Sequence, residues 1–398
     1  MTEPPFAIDL LSGDFWASNP QRELAWLRRH DPVYWDAAAG VWGITTYEHV
    51  REVSRDPSLF SSAGGARPDS GALPMMIDMD DPAHRDRRRL VSSGFTPRQV
   101  RALEDRARTV ADTLIDSVCE RGECDLVGDV AAWLPLIMIG DALGFEPDDH
   151  PTLLQWSDDL LGNLGRPDPA AAERSMTAAA GYHEYISRVI EDRRQRPRDD
   201  LISVLVHAEV DGRRLEHENL IFESLLILIG GDETTRHVIS GGAYQLLAHP
   251  DQWAALRADR TLVTSAVEEM LRWVSPIKIM ARTATRDVEF HGRQLGEGDT
   301  LVLLYSSANR DEEQFDHPFT FDIARSPNDH VAFGFGPHFC LGNALARLEL
   351  QVMFEQLVER LPDLALADDR EPPHRPNNFV TGYEHLPVVF TPTAPLRN

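Results

Sequence analysis

Cys340 lies in the stretch HVAFGFGPHFCLGNALARLELQVMF, at the end of a loop punctuated by Gly334, Gly336 and Gly342. An amphipathic helix is expected to begin within about three residues after it. A cysteine ahead of a helix meets unpaired amide N–H groups and the positive end of the helix dipole. Both favour thiolate over thiol and are expected to lower its pKa from about 8.5 toward neutrality or below. The glycines permit tight turns and let backbone approach the sulfur or a flat ligand. Three chemistries use such a group: a nucleophile, a redox thiol or a metal-bound thiolate.

Three other constellations are capable of chemistry. Gly230-Gly231-Asp232-Glu233-Thr234-Thr235 places two glycines, which weaken a helix, beside acids and hydroxyls. His84 and Arg88 stand one helical turn apart on one face, so both cationic groups can reach one anion. Glu269 and Arg272 form an i,i+3 pair, worth only tenths of a kcal/mol if exposed. Cys119 and Cys124, in DSVCERGECDL, have no further thiol or imidazole nearby; they read as structural residues of a helical or helix-terminal segment. Three cysteines in all cannot build a disulfide framework.

Helices must position most of these groups. The 3.6-residue apolar period runs through RALEDRARTVADTLIDSVCE, AAAGYHEYISRVIEDRRQ, LVTSAVEEMLRW and ALARLELQVMFEQLVERL. Strand-like pieces are short: PVYWDAAAGVWGITT, ATRDVEFHGRQLGEGDTLVLLY and HLPVVFTP. The expectation is a mainly α protein with small peripheral sheets. From Leu215 to near Ala248 a helix roughly 50 Å long is expected, the centre of a large core, with a distorted turn at Gly230-Gly231. No repeat, low-complexity tract or linker divides the chain, so a single domain over residues 1–398 is expected.

The 42% apolar content of the 398 residues supports an extensive core. A formal net charge of −25 argues against nucleic acid and against anionic membrane. No run of about 18 apolar residues and no signal-peptide pattern occurs, so a cytoplasmic, soluble protein without an integral membrane segment is expected. Within the acidic chain, Arg85, Arg87, Arg88, Arg89, Arg98, Arg101, Arg106 and Arg108 form a basic island. It reads as a docking face for a small acidic protein or as a solvated helix face paired with local acids.

FGFGPHFCLG satisfies the pattern F-x-x-G-x-x-x-C-x-G through Phe333, Gly336, Cys340 and Gly342, and resembles the haem-binding loop of the cytochromes P-450. Three further elements in the right order strengthen the resemblance. Glu269 and Arg272, with Arg325 in DHPFTFDIARSPNDH, resemble the family's buried ion-pair network, a structural feature. Gly230 to Thr235 resembles its oxygen-activation motif. His84 and Arg88, joined by Arg282 and His338, fall where the family contacts the haem propionates.

What this implies is a cytochrome P-450 fold, a large helical domain with its long central helix over haem b, and Cys340 as the axial thiolate, which favours O–O cleavage. Gly230 and Phe333 then lie against the haem, Thr234 hydrogen-bonds dioxygen, and Glu233 links it to solvent protons. Electrons must come from outside the chain, and soluble bacterial members imply a ferredoxin served by an NAD(P)H-dependent reductase.

Four stretches, LPMMIDMDDPAHRDRRRLV, LLILIGGDETTRH, AFGFGPHFCLGNALARLEL and NFVTGYEHLPVVFTP, resemble the actinobacterial cholesterol side-chain hydroxylases, steroid C26-monooxygenases. That branch oxidises the terminal methyl, C26 or C27, of cholesterol and cholest-4-en-3-one, and carries it on to the acid. Met75, Met76, Ile77, Leu226, Ile229, Val274, Ile277, Met280, Phe379 and Val380 could line its apolar pocket. Lys278 is a polar intruder among them, unassigned or at the pocket rim. The rival readings are a terpene, macrolide or fatty-acid hydroxylase, a peroxide-using haem-thiolate enzyme and a haem sensor.

Overall fold

The computed structural model describes residues 4–68, 70–165, 168–210, 212–368 and 370–396. It is mainly helical, with small sheets at the periphery. The long helix expected from Leu215 runs His217–Ala248 and is the hub. It packs against Trp133–Leu143, Val263–Val274 and Asn343–Arg360, the last being the helix that follows Cys340. Val238, Ile239 and Leu246 of the hub, Val267 and Met270 beside it, and Leu350 and Met353 of the cysteine helix share one buried cluster. Full burial of each such side chain contributes about 1.5–3 kcal/mol.

The expected distorted turn is not there. The central helix is continuous through Gly230-Gly231, and the Thr234 hydroxyl donates to the Gly230 carbonyl at 3.0 Å, one turn back. Packing accounts for the second glycine. A Cβ on Gly231 would lie 2.6 Å from Cγ1 of Ile139, so the missing side chain lets the Trp133–Leu143 helix close onto the hub.

The main sheet has five strands in the order Val33–Asp36, Val41–Ile44, Thr300–Leu304, Ile279–Ala284, Phe60–Ser61. Only the Val41–Ile44 and Thr300–Leu304 pair is parallel. A three-stranded sheet joins Ala365–Leu366, Pro387–Val389 and Glu123–Asp125. Cys124 therefore sits in a strand rather than at a helix end. It and Cys119 are buried and unbonded, and burial pushes the Cys124 thiol up to about 12, which keeps it inert. One stretch, Leu126–Leu143, is long and apolar enough to cross a membrane, yet 67% of it is buried inside the fold against the hub.

Glu269 and Arg272 are wholly buried. Arg272 donates to both Glu269 oxygens at 2.8 and 2.7 Å and to the carbonyls of Asn309, Pro318 and Thr320 at 2.8, 2.9 and 3.3 Å. Arg325 adds a bond to Glu269 at 3.1 Å, completing the expected triad. Asn309 in turn accepts the Val331 amide at 2.7 Å, so the network holds the start of the cysteine loop.

Candidate active site

Gly334 and Gly336 adopt φ of +69° and +72°, which only glycine takes without strain. At Gly336 a Cβ would also stand 2.3 Å from the Ser54 carbonyl oxygen. These two residues shape the loop that brings Cys340 to the foot of its helix, with the Cys340 amide donating to the Phe333 carbonyl at 2.9 Å. Arg347 lies 4.5 Å over the Phe333 ring and fixes it from one side.

Cys340 opens onto a cavity of about 1860 Å³ including its open mouth. The central helix forms the opposite wall through Leu226, Ile229, Gly230 and Thr234. Every other expected lining residue is also present, Met75, Met76, Ile77, Ile277, Met280, Phe379 and Val380, with one exception. Val274 turns away from this cavity, packs onto Gly241 of the central helix and faces a separate, smaller cavity with Lys278. The helix Val263–Val274 ends there, so Val274 keeps helical orientation, while the chain turns through Ser275 in the left-handed region and runs extended from Ile277.

His84, Arg88, Arg282 and His338 converge on one edge of the large cavity. The two imidazoles lie 4.0 Å apart, and His338 also meets the Ser62 hydroxyl at 3.2 Å. Burial, then Arg282, His84 and Arg88, push His338 down to about 3, and burial lowers His84, Arg88 and Arg282. Each basic group is thus driven toward its neutral form, and an anion among them would reverse that. Gly230 and Gly342 also line the cavity, and a Cβ on either would meet nothing within 4 Å. A single thiol, a cationic edge and open glycine faces above and below fit a flat, anionic, metal-bearing group. Among the described residues no cluster of three or more His, Cys, Asp or Glu offers a competing metal site.

The expected lowering of the Cys340 pKa is not the net result. Burial pushes the thiol up and outweighs the Gly342 and Asn343 amides, Arg88 and Arg347, all of which pull it down. The helix terminus acts as expected but is too weak against desolvation; a metal cation would deprotonate the thiol outright.

Glu233 also departs from expectation. It is fully buried, with its carboxylate bonded to Arg236 at 2.6 and 2.7 Å, 3.5 Å from His237 and 3.7 Å from Arg375. Among the described residues Arg236 and Arg375 link the carboxylate toward the surface, both bonded at 2.9 Å to the part-exposed Asp158. The basic island is likewise mostly paired. Arg87 bonds the buried Glu223 at 3.0 Å, Arg106 bonds Asp141 at 2.7 Å and Arg108 bonds Glu355 at 2.9 Å. Arg88 belongs to the cavity, and Arg85, Arg89, Arg98 and Arg101 remain on the surface.

Several lining residues escaped sequence reasoning. Arg67 and Tyr305 join the cationic edge from loop and strand end, where no local pattern marks them. Glu349 had a signal, since it shares an apolar face of the cysteine helix with Leu345 and Met353 at i,i+4 spacing. Burial and Asp232 hold it well above the usual carboxylate range, and Asp232 itself is pushed up to about 8 by burial and Glu233.

A loop that presents one cysteine beneath a long helix, with a cationic edge between them, defines a haem-thiolate protein. Residues 156–386 match the Cytochrome P450 family, and the chain belongs to it. A steroid C26-monooxygenase of Mycolicibacterium smegmatis is 54% identical over 98% of this chain and 97% of its own. A steroid C26-monooxygenase of Mycobacterium tuberculosis is 53% identical over 100% of both. Among solved structures, CYP109E1 from Bacillus megaterium in complex with testosterone superposes with a TM-score of 0.88, at 33% identity, over 95% of this chain and 99% of its own. The chain is a haem-thiolate monooxygenase served by electron-transfer partners and acting on an apolar substrate.

Proposed function

We propose that this chain hydroxylates the terminal methyl, C26 or C27, of a cholesterol or cholest-4-en-3-one side chain and oxidises it onward to the carboxylic acid. The reading rests on its full-length likeness to steroid C26-monooxygenases. Haem b is the cofactor, and its thiolate-ligated iron supplies the activation of dioxygen. Cys340 would hold the iron through its thiolate. His84, Arg88, Arg282 and His338 would bind the propionates, which would neutralise the cationic edge, and Gly230 and Phe333 would contact the ring.

The Thr234 hydroxyl, now donating to the Gly230 carbonyl, could be turned into the cavity by rotation of one side-chain torsion, where it would supply a hydrogen bond to the oxygen that the haem activates. Glu233 passes protons toward it from Asp158 through the arginine-bridged route, which requires Arg236 or Arg375 to swing away. The apolar wall from Met75 to Ile77, Leu226, Ile229, Ile277, Met280, Phe379 and Val380 excludes water and admits the thin chain end rather than the sterol rings. Electrons arrive from a ferredoxin and its NAD(P)H-dependent reductase in the cytoplasm, and one domain, residues 1–398, carries all the catalytic groups.

Optical titration of the ferric protein with cholest-4-en-3-one, followed by mass spectrometry of reconstituted product, tests this. A shift to high spin and a side-chain acid are expected. No spin shift and no oxidised side chain would exclude the sterol while leaving the haem assignment standing.

A further inference from the structure

A second cavity, about 580 Å³ including its mouth, lies back to back with the first. The segment from Val274 to Met280 separates them. Ile277 and Met280 face the large cavity, whereas Val274 and Lys278 face the small one. Ile277 bridges Val380, and the Lys278 amide donates to the Phe379 carbonyl at 2.8 Å. Ile277 and Lys278 are neighbours in extended backbone and so point to opposite sides, while Met280 joins the large cavity from the strand Ile279–Ala284.

The small cavity is lined by two cations that have no carboxylate partner among the described residues, Lys278 and Arg310. Neither Lys278 nor Arg310 has a carboxylate within 4.0 Å among the described residues. Lys278 donates to the Val274 carbonyl at 2.9 Å, and Arg310 donates through Nη2 to the Trp273 carbonyl at 2.8 Å while stacking 4.5 Å over that indole. Nη1 of Arg310 has no hydrogen-bond partner among the described residues, and neither has the hydroxyl of Ser306. Arg310 is 4% exposed and Ser306 1%. His237 and His374 complete the basic wall, each pushed down to about 4, chiefly by burial. The acidic member is Glu371, which is exposed and already accepts the Tyr383 hydroxyl at 3.0 Å.

Buried charges are stable only when paired, and these two have donors to spare. We propose that the small cavity binds a small monoanion, a carboxylate or a halide, with Lys278 Nζ, Arg310 Nη1 and the Ser306 hydroxyl as its donors. The bound anion braces the segment whose other side forms the wall of the large cavity.

Burial, and Arg310 second, push Lys278 down to about 7. Facing it are Arg310, His374, His237 and the mouth carboxylate Glu371, so the local charge around a protonated Lys278 is positive below pH 7. An anion restores the protonated lysine, so binding is tight below pH 7 and weakens above it as a proton must be taken up.

The test uses the haem-loaded protein with sodium formate, sodium bromide or sodium sulfate at matched ionic strength. Formate or bromide is expected to raise the thermal midpoint by about 3 °C near saturation, more at pH 6 than at pH 9. Bromide-soaked crystals should show an anomalous peak beside Lys278. Lys278→Met should abolish the response, and Ser306→Ala, which keeps both charges, should weaken apparent affinity several-fold. A response to formate without one to bromide assigns a carboxylate; a response to both assigns small monoanions generally. Equal stabilisation by sulfate, no response to either formate or bromide, or an unchanged response in both variants would overturn the proposal.

Discussion

Replacing Arg272 with methionine removes a wholly buried side chain at the centre of a hydrogen-bond network. Its five hydrogen bonds go to Glu269 twice and to the carbonyls of Asn309, Pro318 and Thr320. Breaking a buried pair costs about 3–5 kcal/mol. Glu269 keeps Arg325, Asn328 and the Asp322 amide, so the low end of that range applies. Thr320 keeps Arg325 at 2.9 Å, and the stranded carbonyls of Asn309 and Pro318 add about 1 kcal/mol each. The total is about 5 kcal/mol, comparable with the whole stability of an ordinary domain at about 5–15 kcal/mol. Because Asn309 also anchors Val331 ahead of the cysteine loop, the damage should reach haem retention as well as stability. Arg272→Lys keeps the charge but not the fork, and should lose about half as much. The assay is chemical denaturation together with haem content after purification. If Arg272→Met holds a full complement of haem and unfolds within about 1 kcal/mol of the parent, the network is not what fixes the loop.

Glu223, 1% exposed, is pushed up to about 7 by burial, against Arg87 and the Met76 amide. Its folded pKa exceeds the unfolded value, so it contributes stability below about pH 4.3 that is lost as pH rises through about 7, roughly 3 kcal/mol in all. Glu223→Gln should therefore gain on the parent across that window, and parallel stability curves would refute the assignment. Gly231→Ala should cost about 1–3 kcal/mol through its clash with Ile139, whereas Gly230→Ala should leave stability nearly unchanged and alter ligand spectra only; equal unfolding midpoints would contradict the packing reading. Charge reversal at the exposed Arg89 and Arg98 together should slow reduction by ferredoxin and steepen no other step, while Arg87→Glu should mainly destabilise by setting two carboxylates together. Stopped-flow reduction rates and melting curves separate the two, and unaffected reduction by the Arg89 and Arg98 variant would remove this face as the docking site.

The contrast between Arg87 and Arg89 shows where sequence stops being informative. Both stand in one run of arginines, and only the 136-residue jump to Glu223 makes the first a buried tether while the second stays on the surface, loosely paired with Asp86 at 3.8 Å. Motifs were legible where function needs fixed spacing within one element: Cys340 with Gly336 and Gly342, Glu269 with Arg272, His84 with Arg88. The cationic edge was partly legible because His84 and Arg88 share a helix face, while Arg67 and Tyr305 reach it from distant segments with no period to announce them. Val274 and Lys278 fail differently. A helix ends at Val274 and an extended segment follows, and the position of that switch decides which cavity each side chain enters. Element boundaries are the least certain thing a single sequence offers. A one-residue slip is enough to exchange Ile277 and Lys278 between the two cavities, since neighbouring side chains in extended backbone point to opposite sides. The same physics that places Ile277 toward the large cavity thus obliges Lys278 to be buried on the far side, where it must either lose its proton or find an anion.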